Sequence, residues 1–166
     1  MISINERKIG ADYPPYIIAE MSANHNGHIN NAYKIIDMAK DSGADAVKLQ
    51  TYRPDTITMD MSTPEFIIEG GLWDGKSLYE LYQGAFMPWE WHKPLFEYAK
   101  KIGITIFSSP FDNTAVDLLE DLNTPAYKIA SFEVVDLPLI KYVAQTGKPM
   151  IISTGMANSE EIQEAI

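Results

Sequence analysis

Two lysines stand inside short apolar segments of this sequence, where a positive charge needs a specific partner. Lys48 lies in the segment 47–50, VKLQ, and Lys128 lies in the segment 127–130, YKIA. Burial of an unpaired ammonium group is strongly unfavourable, so an anion is expected beside each lysine. That anion is either a carboxylate of the protein, in a structural ion pair, or a phosphate or carboxylate ligand. A desolvated lysine is also a candidate Schiff-base amine.

Hydroxyl side chains follow the same kind of apolar segment at several places. They are Ser108, Ser109, Ser131, Ser153 and Thr154. Hydroxyls at strand ends can donate to phosphate oxygens, although each one alone is equally typical of a turn or a helix cap. Together with the two lysines, they predict an anion-binding site.

One carboxylate, Glu20, ends an apolar segment and precedes the polar, turn-forming segment 21–27. It is a candidate for moving a proton or orienting a water molecule. The alternative is a salt bridge from Glu20 to Lys48 or Lys128. His25 in the following segment is a candidate general acid or base, or a residue that fixes the loop by hydrogen bonds.

The elements that must position these residues are short buried strands alternating with amphipathic helices. Gly43 and Gly103 are placed to end two helices, and Asp112 and Asp136 are placed to begin two others. The apolar, β-branched runs that predict strands are 16–20, 44–50, 104–109, 126–131 and 149–154. Such alternation predicts an α/β fold with a parallel sheet covered by helices.

A closed barrel explains the polar positions better than an open doubly wound sheet. No glycine-rich phosphate loop follows the first strand, and polar residues end every strand rather than gathering at one switch point. We therefore predict a (β/α)8 TIM barrel that is truncated here to about its first five β/α units. Residues 1–15 are predicted to form an N-terminal hairpin capping the barrel, and residues 16–166 the partial catalytic barrel.

Composition excludes several classes of protein. The 166 residues carry a net charge of −10, which disfavours nucleic-acid binding, and they contain no cysteine, which is typical of a reducing compartment. The N-terminal segment lacks the apolar stretch of a signal peptide, and no later run reaches membrane-spanning length. We expect a cytoplasmic protein that binds neither nucleic acid nor membranes.

The segment 17–27, IIAEMSANHNG, resembles the opening signature of the sialic-acid (nonulosonic acid) synthase family. Four further blocks resemble that family in the same order: KLQT at 48–51, SSPF at 108–111, YKIAS at 127–131 and ISTGM at 152–156. The resemblance covers the whole chain. It implies a barrel enzyme that condenses phosphoenolpyruvate with an acetamido-sugar.

The resemblance also implies roles for individual residues. It assigns Glu20 to the acidic position near C2 of phosphoenolpyruvate and Gln50 to the sugar side. Asn24 and His25 are expected to support the loop. The residues that match phosphoenolpyruvate-binding positions are Lys48, Ser109, Lys128, Ser131 and Ser153. A divalent metal, Mn²⁺ or Mg²⁺, is implied as cofactor, with ligands expected beyond Ile166. A C-terminal antifreeze-like domain, absent from this chain, and a homodimer of the full-length protein are implied as well.

Three alternatives stay open at the level of sequence. The first is the identity of the amino-sugar, because family members that differ in substrate differ chiefly in the segment 51–88. Aromatic residues in that segment suit either a lid over a sugar or a hydrophobic cluster that holds the loop. The second is a Schiff-base barrel aldolase that uses Lys48 or Lys128 as nucleophile. The third is a barrel fragment without activity of its own.

Overall fold

The computed structural model describes residues 2–166. The chain begins with an antiparallel hairpin of β1 (Ile2–Ile4) and β2 (Arg7–Ile9), in which Ile2 pairs with Ile9. The turn between them uses left-handed backbone at Asn5 and Glu6, which have φ of 48° and 66°. The predicted hairpin is confirmed, although Met1 lies outside the described residues and the division at residues 15 and 16 stays a prediction.

Five parallel strands form the second sheet, in the order in which they occur along the chain. They are β3 (Ile18–Glu20), β4 (Ala46–Thr51), β5 (Thr105–Pro110), β6 (Tyr127–Ile129) and β7 (Met150–Ile152). Sequential parallel strands joined by helices are the construction of a β/α barrel, and the prediction of its first five units is confirmed. β6 is shorter than predicted because the chain turns into a 3-10 helix, Phe132–Val135, directly after Ser131.

Helices connect the strands and cover one face of the sheet. They are α1 (Ile29–Asp41), α2 (Pro54–Ile57), α3 (Leu78–Ala85), α4 (Trp89–Ile102), α5 (Asn113–Asp121), α6 (Leu137–Ala144) and α7 (Ser159–Ala165). Side-chain caps begin α3, α5, α6 and α7: Ser77 accepts from the amide of Glu80, Asp112 from those of Thr114 and Ala115, Asp136 from that of Leu139, and Asn158 from those of Glu160 and Glu161. The predicted caps at Asp112 and Asp136 are confirmed.

Two apolar clusters lie on opposite sides of the five-stranded sheet. The larger one lies between the strands and the helices and includes Leu49 and Ile129. The smaller one lies on the inner side and contains Ile4, Ala46, Phe107 and Ala126. Since Ile4 belongs to β1, the hairpin packs against the inner side near the strand starts.

One long connection, residues 52–88, runs from the end of β4 to α4. It contains α2, two 3-10 helices (Pro64–Phe66 and Gly71–Trp73) and α3, and thus lies at the end of the sheet where barrel enzymes bind substrates. Among residues 2–166, no helix is long and apolar enough to cross a membrane.

Candidate active site

The strand pleat places a set of polar side chains on the inner side of the sheet. Successive side chains of a strand point to opposite faces, so residues two positions after an inner apolar residue share its face. Inner apolar residues such as Ala46, Phe107 and Ala126 are followed in this way by Lys48, Ser109 and Lys128. The complete inner polar set, which we call the inner-face set, is Glu20, Lys48, Gln50, Ser109, Lys128 and Ser153.

Glu20 and Lys48 form an ion pair across neighbouring strands. The two residues are register partners in β3 and β4, and the Lys48 ammonium group contacts Glu20 Oε2. The Lys48 side chain is 12% exposed and that of Glu20 is 46% exposed. The predicted alternative for these residues, a salt bridge, is therefore present, and it leaves one face of Glu20 open to the barrel mouth.

The loop after β3 holds both Glu20 and Gln50. The backbone amide of Ser22 donates to Glu20 Oε1 over 3.1 Å, and the Ser22 hydroxyl donates to Gln50 Oε1 over 3.1 Å. Gln50 is also the register partner of Ser109 on β5. One serine that sequence reasoning had not singled out thus fixes the orientation of two residues of the inner-face set.

Lys128 differs from Lys48 in having no ion pair within residues 2–166. Burial lowers its pKa, and the positive charge of Lys48 lowers it further, while Glu20 and Glu133 act in the opposite direction. Two ammonium groups therefore lie close enough to repel each other in a partly desolvated place. An anion bound between them would relieve both effects.

Glu133 is a polar residue beside this site that the sequence interpretation missed. It lies in the 3-10 helix after Ser131, and burial raises the pKa of its carboxyl group. Its Oε2 atom is buried and has no hydrogen-bond partner among residues 2–166. The only signal in the sequence was its position two residues after a strand-end serine.

The hydroxyl groups fall into two sets that face opposite sides of the sheet. Ser109 is 1% exposed, and its Oγ has no hydrogen-bond partner in the described chain, as expected for a hydroxyl directed into the barrel. Ser108 faces the helices instead, where its Oγ lies 2.7 Å from Thr51 Oγ1. Its predicted contribution to the anion site is therefore wrong, because adjacent strand residues cannot share a face. Thr154 is exposed beyond the end of β7.

Behind the strand ends, Thr51 connects Ser108 to a buried histidine of α4. Thr51 Oγ1 lies 2.8 Å from His92 Nε2, and none of the three residues is exposed to solvent. Burial lowers the pKa of His92 to about 4, so the ring is neutral near pH 7. We call Thr51, His92 and Ser108 the buried triad; it joins β4, β5 and α4 immediately behind Gln50 and Ser109.

Asn24 and His25 lie in the loop between β3 and α1. The Asn24 side chain donates to the Met21 carbonyl over 2.9 Å, and the Gly27 amide donates to His25 Nδ1 over 3.1 Å. The His25 ring is 1% exposed and meets the Trp91 ring edge-on, with 5.5 Å between centroids. Burial lowers the pKa of His25. These contacts tie the loop to itself and to α4.

Two aromatic residues of segment 52–88, Tyr52 and Tyr82, pack on the protein, whereas Trp73 is 48% exposed. Tyr52 meets Tyr82 and Phe111 edge-on at centroid distances of 5.7 and 5.4 Å, and burial raises its pKa to about 12. The Arg53 guanidinium lies over the Trp89 ring, 3.8 Å from its centroid. The segment is therefore attached to the loop after β5 at its base.

The divalent metal implied by the resemblance does not fit the side chains of this chain alone. Residues 2–166 contain no group of three or more His, Asp or Glu side chains placed to hold a metal ion.

The fold and the site define a protein of the β/α-barrel class whose inner face carries cationic and hydroxyl groups at the strand ends. The family model of the NeuB family matches residues 35–166, and the chain belongs to this family. It is 56% identical over 153 residues to a pseudaminic acid synthase of Helicobacter pylori, covering 92% of this chain and 45% of that protein. A pseudaminic acid synthase of Campylobacter jejuni serotype O:2 is 50% identical over 151 residues, covering 91% of this chain and 44% of that protein.

A solved structure agrees with these relatives. The N-acetylneuraminic acid (sialic acid) synthetase of Leptospira borgpetersenii, crystallised in complex with citrate, superposes with a TM-score of 0.85 at 30% sequence identity. The match covers 99% of this chain and 53% of that chain. This chain thus spans about half the length of the proteins that it matches.

Proposed function

We propose that this chain carries the phosphoenolpyruvate-binding half of a synthase that condenses phosphoenolpyruvate with an acetamido-sugar to give a nonulosonic acid and phosphate. The observation that carries the proposal is the placement of Lys48, Lys128 and Ser109 on one inner face at the strand ends. The relatives bearing synthase names support it. Such an enzyme forms a carbon–carbon bond and belongs with the transferases.

The inner-face set has the chemistry that a phosphorylated enol acid requires. Lys128 has a partly buried side chain without an ion pair in the described chain, and Ser109 has a buried hydroxyl without a partner. Both are donors that a phosphate or carboxylate oxygen would satisfy. Ser131 and Ser153, after β6 and β7, would complete a ring of donors around the same anion.

The sugar substrate that we propose is 2,4-diacetamido-2,4,6-trideoxy-L-altrose, which gives pseudaminic acid. Its support is the similarity to two pseudaminic acid synthases over more than nine-tenths of this chain. N-acetylneuraminate and legionaminate synthases are the alternatives. Gln50, whose side chain is held by Ser22, is the residue that we place on the sugar side.

The proposed reaction begins with attack of phosphoenolpyruvate C3 on the aldehyde carbon of the open-chain sugar. The new carbon–carbon bond leaves positive charge at C2, which the Glu20 carboxylate stabilises. Water then attacks C2 as Glu20 accepts one of its protons, and that proton neutralises the sugar alkoxide formed in the first step. The new C2 hydroxyl passes its proton to the departing phosphate as the bond between C2 and the phosphate oxygen breaks, which gives the keto acid and phosphate. Lys48 and Lys128 neutralise the phosphate throughout.

The remaining assignments concern the full-length protein. We propose that it depends on a divalent metal, Mn²⁺ or Mg²⁺, acts as a homodimer and resides in the cytoplasm. The absence of cysteine supports the reducing compartment. The described residues do not form the site of this metal.

Binding of phosphoenolpyruvate to this chain is the direct test. Isothermal titration with phosphoenolpyruvate should show binding by the wild-type chain, and Ser109→Ala should weaken it about tenfold, because a hydrogen bond to a charged group contributes about 1.5 kcal/mol or more. Lys128→Met should weaken it more. Lys100→Met, which removes the same charge from the exposed surface of α4, is the matched control.

The possible results of this titration distinguish a specific binding site from a general charge effect. Equal binding by wild type, Ser109→Ala and Lys128→Met, or no binding at all, would contradict the proposal. An equal loss in Lys100→Met would indicate a general charge effect instead of a site. For the full-length protein, oxygen-18 from water should appear in the sugar acid and not in the released phosphate.

The lowered pKa of Lys128 favours one further candidate function, a Schiff-base aldolase. A desolvated lysine beside a second ammonium group has a larger neutral fraction and is a better nucleophile. Incubation with pyruvate and borohydride would then attach the ligand covalently to Lys128. No adduct is expected from a synthase that binds phosphoenolpyruvate through the charged ammonium group.

A further inference from the structure

Gly155 approaches another residue more closely than any other glycine of the described chain. A Cβ atom built on Gly155 would lie 2.6 Å from both Cβ and Oγ of Ser131. At the remaining glycines the nearest atom outside the immediate neighbours is 3.8 Å away or farther. Gly155 is also not in the left-handed backbone region, so its conformation is open to any residue. Glycine is therefore required at this position because a side chain has no room, and not because of the backbone conformation.

This contact joins two consecutive β/α loops. Ser131 follows β6, and Gly155 follows β7 in the turn that closes with the Ala157 amide donating to the Thr154 carbonyl over 2.9 Å. Each loop also carries one hydroxyl of the proposed phosphate site, Ser131 in the first and Ser153 in the second. The backbone of the second loop thus rests directly on a side chain of the first.

The Ser131 side chain cannot avoid a larger residue at position 155 by rotation alone. Rotation about χ1 would move Oγ, but Cβ stays in place and lies equally close to the added atom. The backbone of one loop must shift, because closely packed atoms at 2.6 Å are far inside van der Waals contact. A hydroxyl displaced by a fraction of an ångström loses part of its hydrogen-bond energy.

We propose that Gly155 is a positioning residue: its missing side chain lets the loop after β7 fix Ser131, and so sets the place of the Ser131 hydroxyl relative to Ser153 for a bound phosphate group. The inference rests on the proposed function and extends it to a residue that does not itself touch the ligand.

A double-mutant cycle on the whole chain tests the inference, with phosphoenolpyruvate as the titrated ligand. Gly155→Ala should lower the affinity about tenfold, the loss expected when a hydrogen bond to a charged group is broken. In a Ser131→Gly background, Gly155→Ala should cause no further loss, because both contacts at 2.6 Å are gone and the next nearest atom, Ser131 Cα, lies at 3.7 Å, an ordinary van der Waals distance. Gly84→Ala is the matched control, since no atom lies within 4 Å of a Cβ built there.

Thermal unfolding of each variant separates positioning from stability. A purely structural role would lower the unfolding midpoint of Gly155→Ala and leave the affinity of the folded protein unchanged, which overturns the inference. Equal losses from Gly155→Ala in the wild-type and Ser131→Gly backgrounds would overturn it as well.

Ser131→Ala distinguishes failure of the proposed phosphate role of Ser131 from failure of the positioning role of Gly155. If it binds phosphoenolpyruvate as tightly as wild type, the phosphate role of Ser131 fails, and the inference fails with it. If Ser131→Ala weakens binding and Gly155→Ala does not, the proposed function stands and the positioning role of Gly155 fails alone.

Discussion

Acidification should destabilise this protein in part through His92. The ring is fully buried on α4, and burial lowers its pKa from 6.5 to about 4. Between these two values the unfolded chain binds a proton that the folded chain does not, so the free energy of unfolding falls as the pH falls below about 6.5. The full effect is about 3 kcal/mol, and about 2 kcal/mol of it appears between about pH 7 and about pH 5.

The assay is urea unfolding of wild type and His92→Gln at both pH values. Glutamine keeps a polar atom for Thr51 but does not titrate, so the variant should be less stable near pH 7 and should lose about 2 kcal/mol less than wild type on acidification. His28→Gln, at an exposed position, is the control and should follow wild type. The same acid-induced loss in wild type and His92→Gln would refute the assignment of the effect to His92.

Two further substitutions test the electrostatics and the helix caps. Lys128→Met should raise the thermal unfolding midpoint, because it removes a desolvated charge that Lys48 repels. The same substitution should weaken phosphoenolpyruvate binding. A lowered midpoint would show that the charge of Lys128 is already compensated. Asp112→Ala should lower the free energy of unfolding by about 1 kcal/mol in urea titrations, because the amides of Thr114 and Ala115 lose their acceptor. Asp112→Asn, which keeps an acceptor, should lose clearly less, and equal losses would count against the cap.

The architecture could be predicted from the sequence because its signals are local. Buried parallel strands are short apolar runs, and the caps at Asp112, Asp136 and Asn158 are set within one helical turn. The order of five strands follows from that alternation. Strand ends were less well predicted, as at β6, because the 3-10 helix that begins after Ser131 leaves no distinct mark on the sequence.

The site was only partly predictable, since the side of the sheet on which a strand residue lies depends on strand register and not on residue type. Ser108 and Ser109 are chemically identical, yet Ser108 bonds to Thr51 behind the sheet and Ser109 points into the barrel. His92 joins Thr51 across 41 positions of the chain, a contact that no local pattern indicates. The burial of Glu133 likewise depends on tertiary packing.

The pleat that separates Ser109 from Ser108 has a consequence for how this protein tolerates sequence variation. In a saturation mutagenesis experiment scored separately for abundance and for ligand capture, the two scores should alternate along β4 and β5 with a period of two. Val47 and Leu49 should respond in abundance, and Lys48 and Gln50 in capture. Neighbouring codons would thus be under different selection. Substitutions at the inner-facing positions can change substrate preference, while the helix-facing positions that keep the sheet folded are conserved.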